Sequence, residues 1–219
     1  MAGSPLQIAI VLYDRFTALD AVGPYEMLSR IPGAETVFVA EQAGPLRADT
    51  GCLSLIADRR LDEVTRPDIV LVPGGPGQSD QMDNERLMDW LRAVDTTSTW
   101  TTSVCTGSLL LASAGLLHGR RATSHWLALD ELAGLGAHST SERVVIDGKY
   151  VTAAGVSSGI DMALRLTGII AGDEQAMTIQ LATEYDPQPP YDAGSPATAP
   201  AHLVEKGRAT SRFRTAARP

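Results

Sequence analysis

The sequence is poor in cysteine and contains none of the cysteine patterns that build metal sites or disulfide frameworks. Its 219 residues include two cysteines, Cys52 and Cys105. They lie on segments of different kinds, with no Cys-x-x-Cys pair and no Cys/His spacing typical of zinc. We therefore expect a protein of the reducing cytoplasm, without structural disulfides and without a bound metal.

Long apolar runs are also absent, and positive charge is scarce. No window approaches the roughly 20 apolar residues that a membrane span needs, and residues 1–13 lack the basic start of a signal peptide. Lys and Arg number 18 against 26 Asp and Glu, which gives a net charge of −8. This balance argues against a nucleic acid or an anionic membrane as partner, and it favours a small uncharged or cationic ligand.

Apolar residues make up 44% of the chain and are spread evenly, so we expect one core in a single domain over residues 1–200. A run of prolines forbids a regular helix near the end of that domain: Pro187, Pro189, Pro190, Pro196 and Pro200. Residues 201–219 are basic, and we predict a solvated helix or frayed tail there. The basic residues are Lys206, Arg208, Arg212, Arg214 and Arg218.

Short continuous apolar runs alternate with segments of helical periodicity, and this alternation predicts an α/β fold with a mostly parallel sheet between two helical layers. Strands are predicted over 7–13, 36–40, 68–72 and 99–104. Helices are predicted over 20–29, 84–93, 108–114, 159–170 and 174–183. Two hairpins are predicted, one over 47–57 at the sheet edge and one over 143–150 with its turn at Asp147-Gly148.

Cys105 lies where the strand at 99–104 turns sharply into the helix at 108–114. Such a turn holds the sulfur away from the backbone and near the unpaired amides of the helix start, which favours the thiolate. A thiolate is a nucleophile at neutral pH, so we predict a cysteine-dependent enzyme. The alternative, from the residues alone, is that Cys105 is a small buried hydrophobe.

Other polar candidates follow neighbouring strands, at the edge where ligands gather in open α/β sheets. Asp20 is either the N-cap of the first helix or a carboxyl that shares a proton with the nearby sulfur. Gly74 and Gly75 form either a simple turn or a loop whose amides hold a developing negative charge. His125 is either a base for Cys105 or a packed histidine at the rim.

Several motifs together resemble the DJ-1/PfpI superfamily over essentially the whole chain. They are Leu19-Asp20 with Gly23-Pro24, Pro73-Gly74-Gly75, Ser103-Val104-Cys105-Thr106-Gly107-Ser108, Ala114-Gly115-Leu116-Leu117, Gly119-Arg120-Arg121-Ala122-Thr123 and His125-Trp126. Within the superfamily the chain most resembles the isonitrile hydratase branch, because the Cys-Thr-Gly-Ser signature and the proline-rich segment 185–200 are similar to those of that branch.

This resemblance implies a flavodoxin-like three-layer sandwich, like that of class I glutamine amidotransferases, and a homodimer. It makes Cys105 the nucleophile, Asp20 the acid/base partner and Thr106 a residue that lines the pocket. Gly74 and Gly75 are expected to bind the substrate or an oxyanion, and His125 stays outside the catalytic set. The implied reaction adds water to an isonitrile to give an N-formamide, through a Cys105 thioimidate and without a cofactor.

The chain differs from two other branches of the superfamily, and three rival functions stay open. The protease branch carries His after the nucleophile, where this chain has Thr106, so peptidase activity is disfavoured. Another branch joins the domain to a DNA-binding module, for which the 19 residues after Pro200 leave no room. The rivals are a redox sensor that oxidises Cys105, a glyoxalase-like or deglycase-like enzyme, and a regulatory ligand-binding domain.

Overall fold

A computed structural model describes residues 5–213 of the chain. The strands are β1 Leu6–Val11, β2 Ala34–Ala40, β3 Gly44–Arg47, β4 Ser54–Ala57, β5 Arg59–Arg60, β6 Ile69–Val72, β7 Trp100–Val104, β8 Arg121–Ala122, β9 His138–Ser139, β10 Val144–Asp147 and β11 Tyr150–Ala153. The helices are α1 Ala18–Leu28, α2 Gln78–Gln81, α3 Glu85–Asp95, α4 Gly107–Ser113, α5 Leu129–Gly134, α6 Ser158–Ala171, α7 Asp173–Ala182 and α8 Ala201–Thr210, and a 3₁₀ turn spans Leu61–Glu63.

Seven strands form the main sheet in the order β10-β11-β7-β6-β1-β2-β5. Every pairing in it is parallel except that of β10 with β11, which form the hairpin predicted near Asp147-Gly148. The predicted hairpin over 47–57 exists as β3 and β4, but it is a separate two-stranded sheet and does not extend the main one. The predicted α/β fold with a mostly parallel sheet is confirmed.

The adjacent central strands β6 and β1 are apolar because both of their faces are covered. All four residues of β6 are fully buried, and so are Ile8, Ala9 and Ile10 of β1. On one side α6 packs against α1 and α7, and on the other α4 packs against α3 and α5. A strand buried on both faces has no solvent side, so its sequence is a continuous apolar run.

The last described helix lies over the carboxyl edge of the sheet. Residues 186–200 contain no helix or strand, as their prolines predict. In α8, a side-chain carbon at Gly207 would come within 2.9 Å of the Trp126 ring, so glycine is what allows the helix to sit directly on that ring. The predicted basic residues Arg214 and Arg218 lie outside the described residues. None of the helices that the structure describes is both long enough and apolar enough to cross a membrane.

Candidate active site

Three adjacent strands, β7, β6 and β1, end at the same edge of the sheet, and the residues predicted to carry chemistry follow them. Cys105 and Thr106 follow β7, Gly74 and Gly75 follow β6, and Asp20 lies on the helix after β1. Parallel strands direct all of these segments to one edge, so residues far apart in sequence meet there.

The backbone of Cys105 is held in a conformation that residues with a side chain rarely adopt. Its φ is 57°, in the left-handed region. The Cys105 N–H donates to the carbonyls of Ala153 and Ala154, at 3.0 and 2.8 Å. The Cys105 carbonyl accepts from the hydroxyls of Ser108 and Ser124, at 3.2 and 3.0 Å. These contacts hold the strained turn, and a strain maintained in this way is typical of functional sites.

The glycine after the turn is required by the close approach of β6 and α4. A side-chain carbon at Gly107 would lie 2.0 Å from the carbonyl oxygen of Val72. Only glycine lets the first turn of α4 pack directly against the end of β6. The Cys-Thr-Gly sequence therefore has a steric basis as well as a chemical one.

Asp20 is not the N-cap that the sequence suggested. The N-cap of α1 is Thr17, and Asp20 is the third residue of the helix, fully buried. Its Oδ2 accepts the N–H of Gly74 at 2.9 Å. Its carboxyl also interacts with the Cys105 thiol, while Oδ1 is buried without a hydrogen bond of regular geometry among the described residues. The helix turns this carboxyl toward the sulfur and away from its own amides.

The amides of the glycine loop are used to hold the two flanking segments. Gly74 N–H is bonded to Asp20, and Gly75 N–H donates to the Thr106 hydroxyl at 3.1 Å. A side-chain carbon at Gly74 would lie 2.5 Å from the Thr106 nitrogen, and one at Gly75 would lie 2.5 Å from the Thr17 nitrogen. The glycines thus allow α1 and the Cys105 turn to approach the loop closely. The expectation that these amides bind substrate stays a prediction.

Burial dominates the electrostatics of the Asp20–Cys105 pair. It raises the pKa of Asp20 to about 7, against the lowering effects of its hydrogen bonds to Gly74 and Cys105. Burial and the nearby Asp20 charge raise the pKa of Cys105, and the N–H groups of Val156 and Thr106 only partly oppose them. The amides at the start of α4 thus favour the thiolate, as the sequence indicated, but burial opposes it, because the cysteine is only 5% exposed. Both pKa values of the pair are therefore raised, so burial favours the protonated form of each group.

A cavity of about 640 Å³ lies near Cys105, although the residues that line it do not include Cys105, Asp20 or Thr106. Val156, whose N–H interacts with the thiol, and Ser124, which is bonded to the Cys105 carbonyl, both line it. Gly194 to Ala197 of the proline-rich segment form part of its wall. His125 also lines the cavity, and burial followed by the charge of Arg212 lowers its pKa.

Sequence reasoning missed two residues that approach this site. Tyr13 is buried and donates its hydroxyl to the Pro73 carbonyl at 2.7 Å. The Arg212 guanidinium donates to the carbonyls of Gly75 and Pro76 at 2.8 and 2.5 Å. No local pattern indicates that a residue near the end of the chain returns to the loop after β6.

Comparisons with known proteins agree with this architecture. The profile of the DJ-1/PfpI family matches residues 6–168. An isonitrile hydratase from Pseudomonas putida is 40% identical over 203 residues, which cover 93% of this chain and 89% of that protein. A deglycase, PfpI, from Pyrococcus furiosus is 27% identical over 67% of this chain and 89% of its own length.

A solved structure is similar over nearly the whole chain. It is the crystal structure of a ThiJ/PfpI family protein from Pseudomonas syringae, with a TM-score of 0.91 and 36% identity. The match covers 94% of this chain and 85% of that one. With the profile match, these similarities confirm the resemblance that the motifs indicated. The chain belongs to the DJ-1/PfpI family.

Proposed function

We propose that this protein is an isonitrile hydratase, which adds water to the terminal carbon of an isonitrile and releases an N-formamide. The observation that carries the proposal is the buried Asp20–Cys105 pair at the carboxyl edge of the sheet, beside a cavity. The similarity to the Pseudomonas putida isonitrile hydratase over 93% of the chain supports the same activity.

In the first step, sulfur and hydrogen add to one carbon. An isonitrile carbon is a poor electrophile until it is protonated, so an acid and a soft nucleophile must reach it together. The Cys105 sulfur forms a bond to the carbon, and the thiol proton passes through Asp20 to that same carbon. The product is a thioimidate, in which the former triple bond is a carbon–nitrogen double bond.

In the second step, water releases the product. The water oxygen bonds to the thioimidate carbon, and one of its protons goes to the nitrogen. The carbon–sulfur bond then breaks, and the remaining proton returns through Asp20 to the sulfur. The overall change is the addition of one water molecule, with no oxidation or reduction.

The pKa of Asp20 suits this exchange of protons. A group that must donate a proton in one step and accept one in the next works best with a pKa near the working pH. Burial places the pKa of Asp20 at about 7. A neutral thiol is also the form that the first step consumes, since its proton ends on the isonitrile carbon.

We assign the remaining site residues to positioning and lining. The Gly74 N–H orients the Asp20 carboxyl, and Thr106 lines the site with its backbone amide toward the thiol. The Thr106 hydroxyl ties the Cys105 turn to the loop at Gly75. We assign substrate binding to Gly74 and Gly75 because their loop contacts both Asp20 and Thr106. His125 has no step in this scheme.

Burial of the thiol distinguishes hydration from the redox-sensing alternative. Peroxide reacts with the thiolate, and burial with the Asp20 charge opposes that form of Cys105. The hydratase chemistry needs no free thiolate in the resting enzyme. This contrast favours hydration over stoichiometric oxidation.

The test is incubation of the full chain with n-butyl isonitrile, with N-butylformamide followed by NMR. We expect turnover by the wild type and by Cys52→Ala, which removes the exposed second cysteine. Cys105→Ala and Asp20→Asn should each lose it. Unchanged turnover in either variant would end the assignment, and methylglyoxal consumption measured in parallel would reveal a deglycase-like enzyme instead.

We also propose that two copies associate in the cytoplasm, where both cysteines stay reduced. Apolar side chains lie exposed on α6 and α7: Ile169 is 50%, Met177 60% and Leu181 80% exposed. Light scattering should give twice the chain mass, and Leu181→Lys should halve it. The same change at Ile56, 64% exposed on β4, is the control. A monomeric wild type would refute the dimer.

A further inference from the structure

The cavity beside Cys105 is closed on one side by the last part of the chain. Its inner wall contains Ser124, His125 and the segment Ala154–Ser157. Its outer wall contains Gly194 to Ala197 and Arg208 of α8. At about 640 Å³ the cavity has the size of sites that hold whole small molecules, not just a diatomic group. The part of an isonitrile beyond its reacting carbon therefore has room here.

The side chains that line this cavity carry positive charge or none. Arg143 and Arg208 line it, and no Asp or Glu does among the described residues. Arg143 is already paired, through hydrogen bonds to Asp161 and to the Ser157 hydroxyl. Arg208 makes no ion pair and no side-chain hydrogen bond within the part of the chain that the structure describes. Its guanidinium is available to a ligand.

A second guanidinium on the same segment strengthens the positive charge. Arg212 is held by neutral acceptors only: the carbonyls of Gly75 and Pro76, the Ser79 hydroxyl and the Gln78 amide oxygen. No carboxylate lies within ion-pair distance of it in residues 5–213. Its charge acts on both Cys105 and His125. The last described segment thus brings two guanidinium groups toward the site, in a chain whose net charge is −8.

An isonitrile group is neutral and offers nothing for a guanidinium to bind. A carboxylate elsewhere on the substrate matches it, because the planar guanidinium donates two parallel hydrogen bonds to the two carboxylate oxygens. We propose, on the basis of the hydratase function above, that this enzyme acts on isonitriles that carry a carboxylate, which Arg208 binds at the cavity wall. The net charge of the chain favoured an uncharged or cationic ligand. The proposed substrate is anionic instead, because the charges that line the cavity govern binding there more than the net charge does.

The experiment compares two substrates of equal shape, 4-isocyanobenzoate and 4-isocyanobenzamide, on the full chain. We expect the wild type to have the higher kcat/KM for the carboxylate, and the preference to shrink as salt rises. Arg208→Gln should lower kcat/KM for the carboxylate by about fivefold, the upper range for an exposed ion pair. Arg208→Glu, which adds repulsion, should lower it by about tenfold or more. In both variants the ratio of kcat/KM for the carboxylate to kcat/KM for the amide should fall, because the amide carries no charge for Arg208 to pair with.

Arg66→Glu is the matched control, because Arg66 precedes β6 at the opposite edge of the sheet and its charge change is the same. It should leave both substrates unaffected. Equal wild-type turnover of the two substrates, or an equal loss on both in Arg208→Glu, would overturn the substrate class while leaving the hydratase function intact. If neither substrate gave a formamide, the hydratase function would be overturned, and the substrate class with it.

Discussion

Replacing Asp20 by Asn should make the folded protein more stable at alkaline pH while abolishing activity. Asp20 is fully buried, and burial raises its pKa from 3.8 to about 7. This difference of about three pH units corresponds to about 4 kcal/mol, since each unit is about 1.4 kcal/mol. Above pH 7 the wild type must keep a charge in the core at that cost, whereas Asn has the same shape and carries no charge.

The sign follows from proton linkage. Because the folded state binds the Asp20 proton more tightly than the unfolded state, the contribution of Asp20 to stability is fully present below pH 3.8. It is lost as pH rises toward 7. In the Asn variant this position does not titrate, so it makes no pH-dependent contribution to stability. The unfolding free energy of the wild type should therefore fall, relative to that of Asp20→Asn, by about 2 kcal/mol between pH 5.5 and 8.5.

The assay is urea unfolding of both proteins at the two pH values, followed by the fluorescence of the three tryptophans. Both values lie above the sequence pI of about 4.9, where the protein would be least soluble. Comparing two pH values removes any constant loss from the altered hydrogen bonds of Asn. Asp83→Asn, at an exposed carboxyl, should differ from wild type by under about 0.5 kcal/mol at both values. A stability difference between the wild type and Asp20→Asn that stays the same at both pH values would refute the argument from burial.

Three further outcomes follow from the site. Gly74→Ala places a carbon 2.5 Å from the Thr106 nitrogen and 3.0 Å from Asp20 Oδ2. The kcat/KM should therefore fall roughly tenfold to 100-fold, with an unchanged circular dichroism spectrum. Gly134→Ala adds a carbon in open space and should leave kcat/KM unchanged. Thr106→Val leaves the buried Gly75 N–H without its acceptor and should cost about 1–3 kcal/mol in urea unfolding, while Thr106→Ser restores most of it. Iodoacetamide at pH 7.5 should alkylate exposed Cys52 before Cys105, and mass spectrometry that found the reverse order would contradict a protonated Cys105.

Much of the site was predictable because its components are local. The strand-turn-helix around Cys105 and the glycine loop after β6 are each readable over a few residues, and parallel topology brings strand ends to one edge. The role of Asp20 was not readable in the same way. From the residues alone, an acidic residue at the start of a helix predicts an N-cap. Asp20 instead interacts with Cys105, because the Cys105 turn lies close to α1 in the folded chain.

By itself, the sequence determined the order of strands and helices, the parallel sheet and the family, because periodicity, turn residues and motifs are properties of adjacent residues. Only the tertiary structure decided that the pKa values of Cys105 and Asp20 are raised, since burial depends on every element packed around them. It also decided that Arg208 lines the cavity near Cys105 and that the charge of Arg212 acts on Cys105. Charge acts over distance in space, and residues separated by more than 100 positions become neighbours only once the chain has folded.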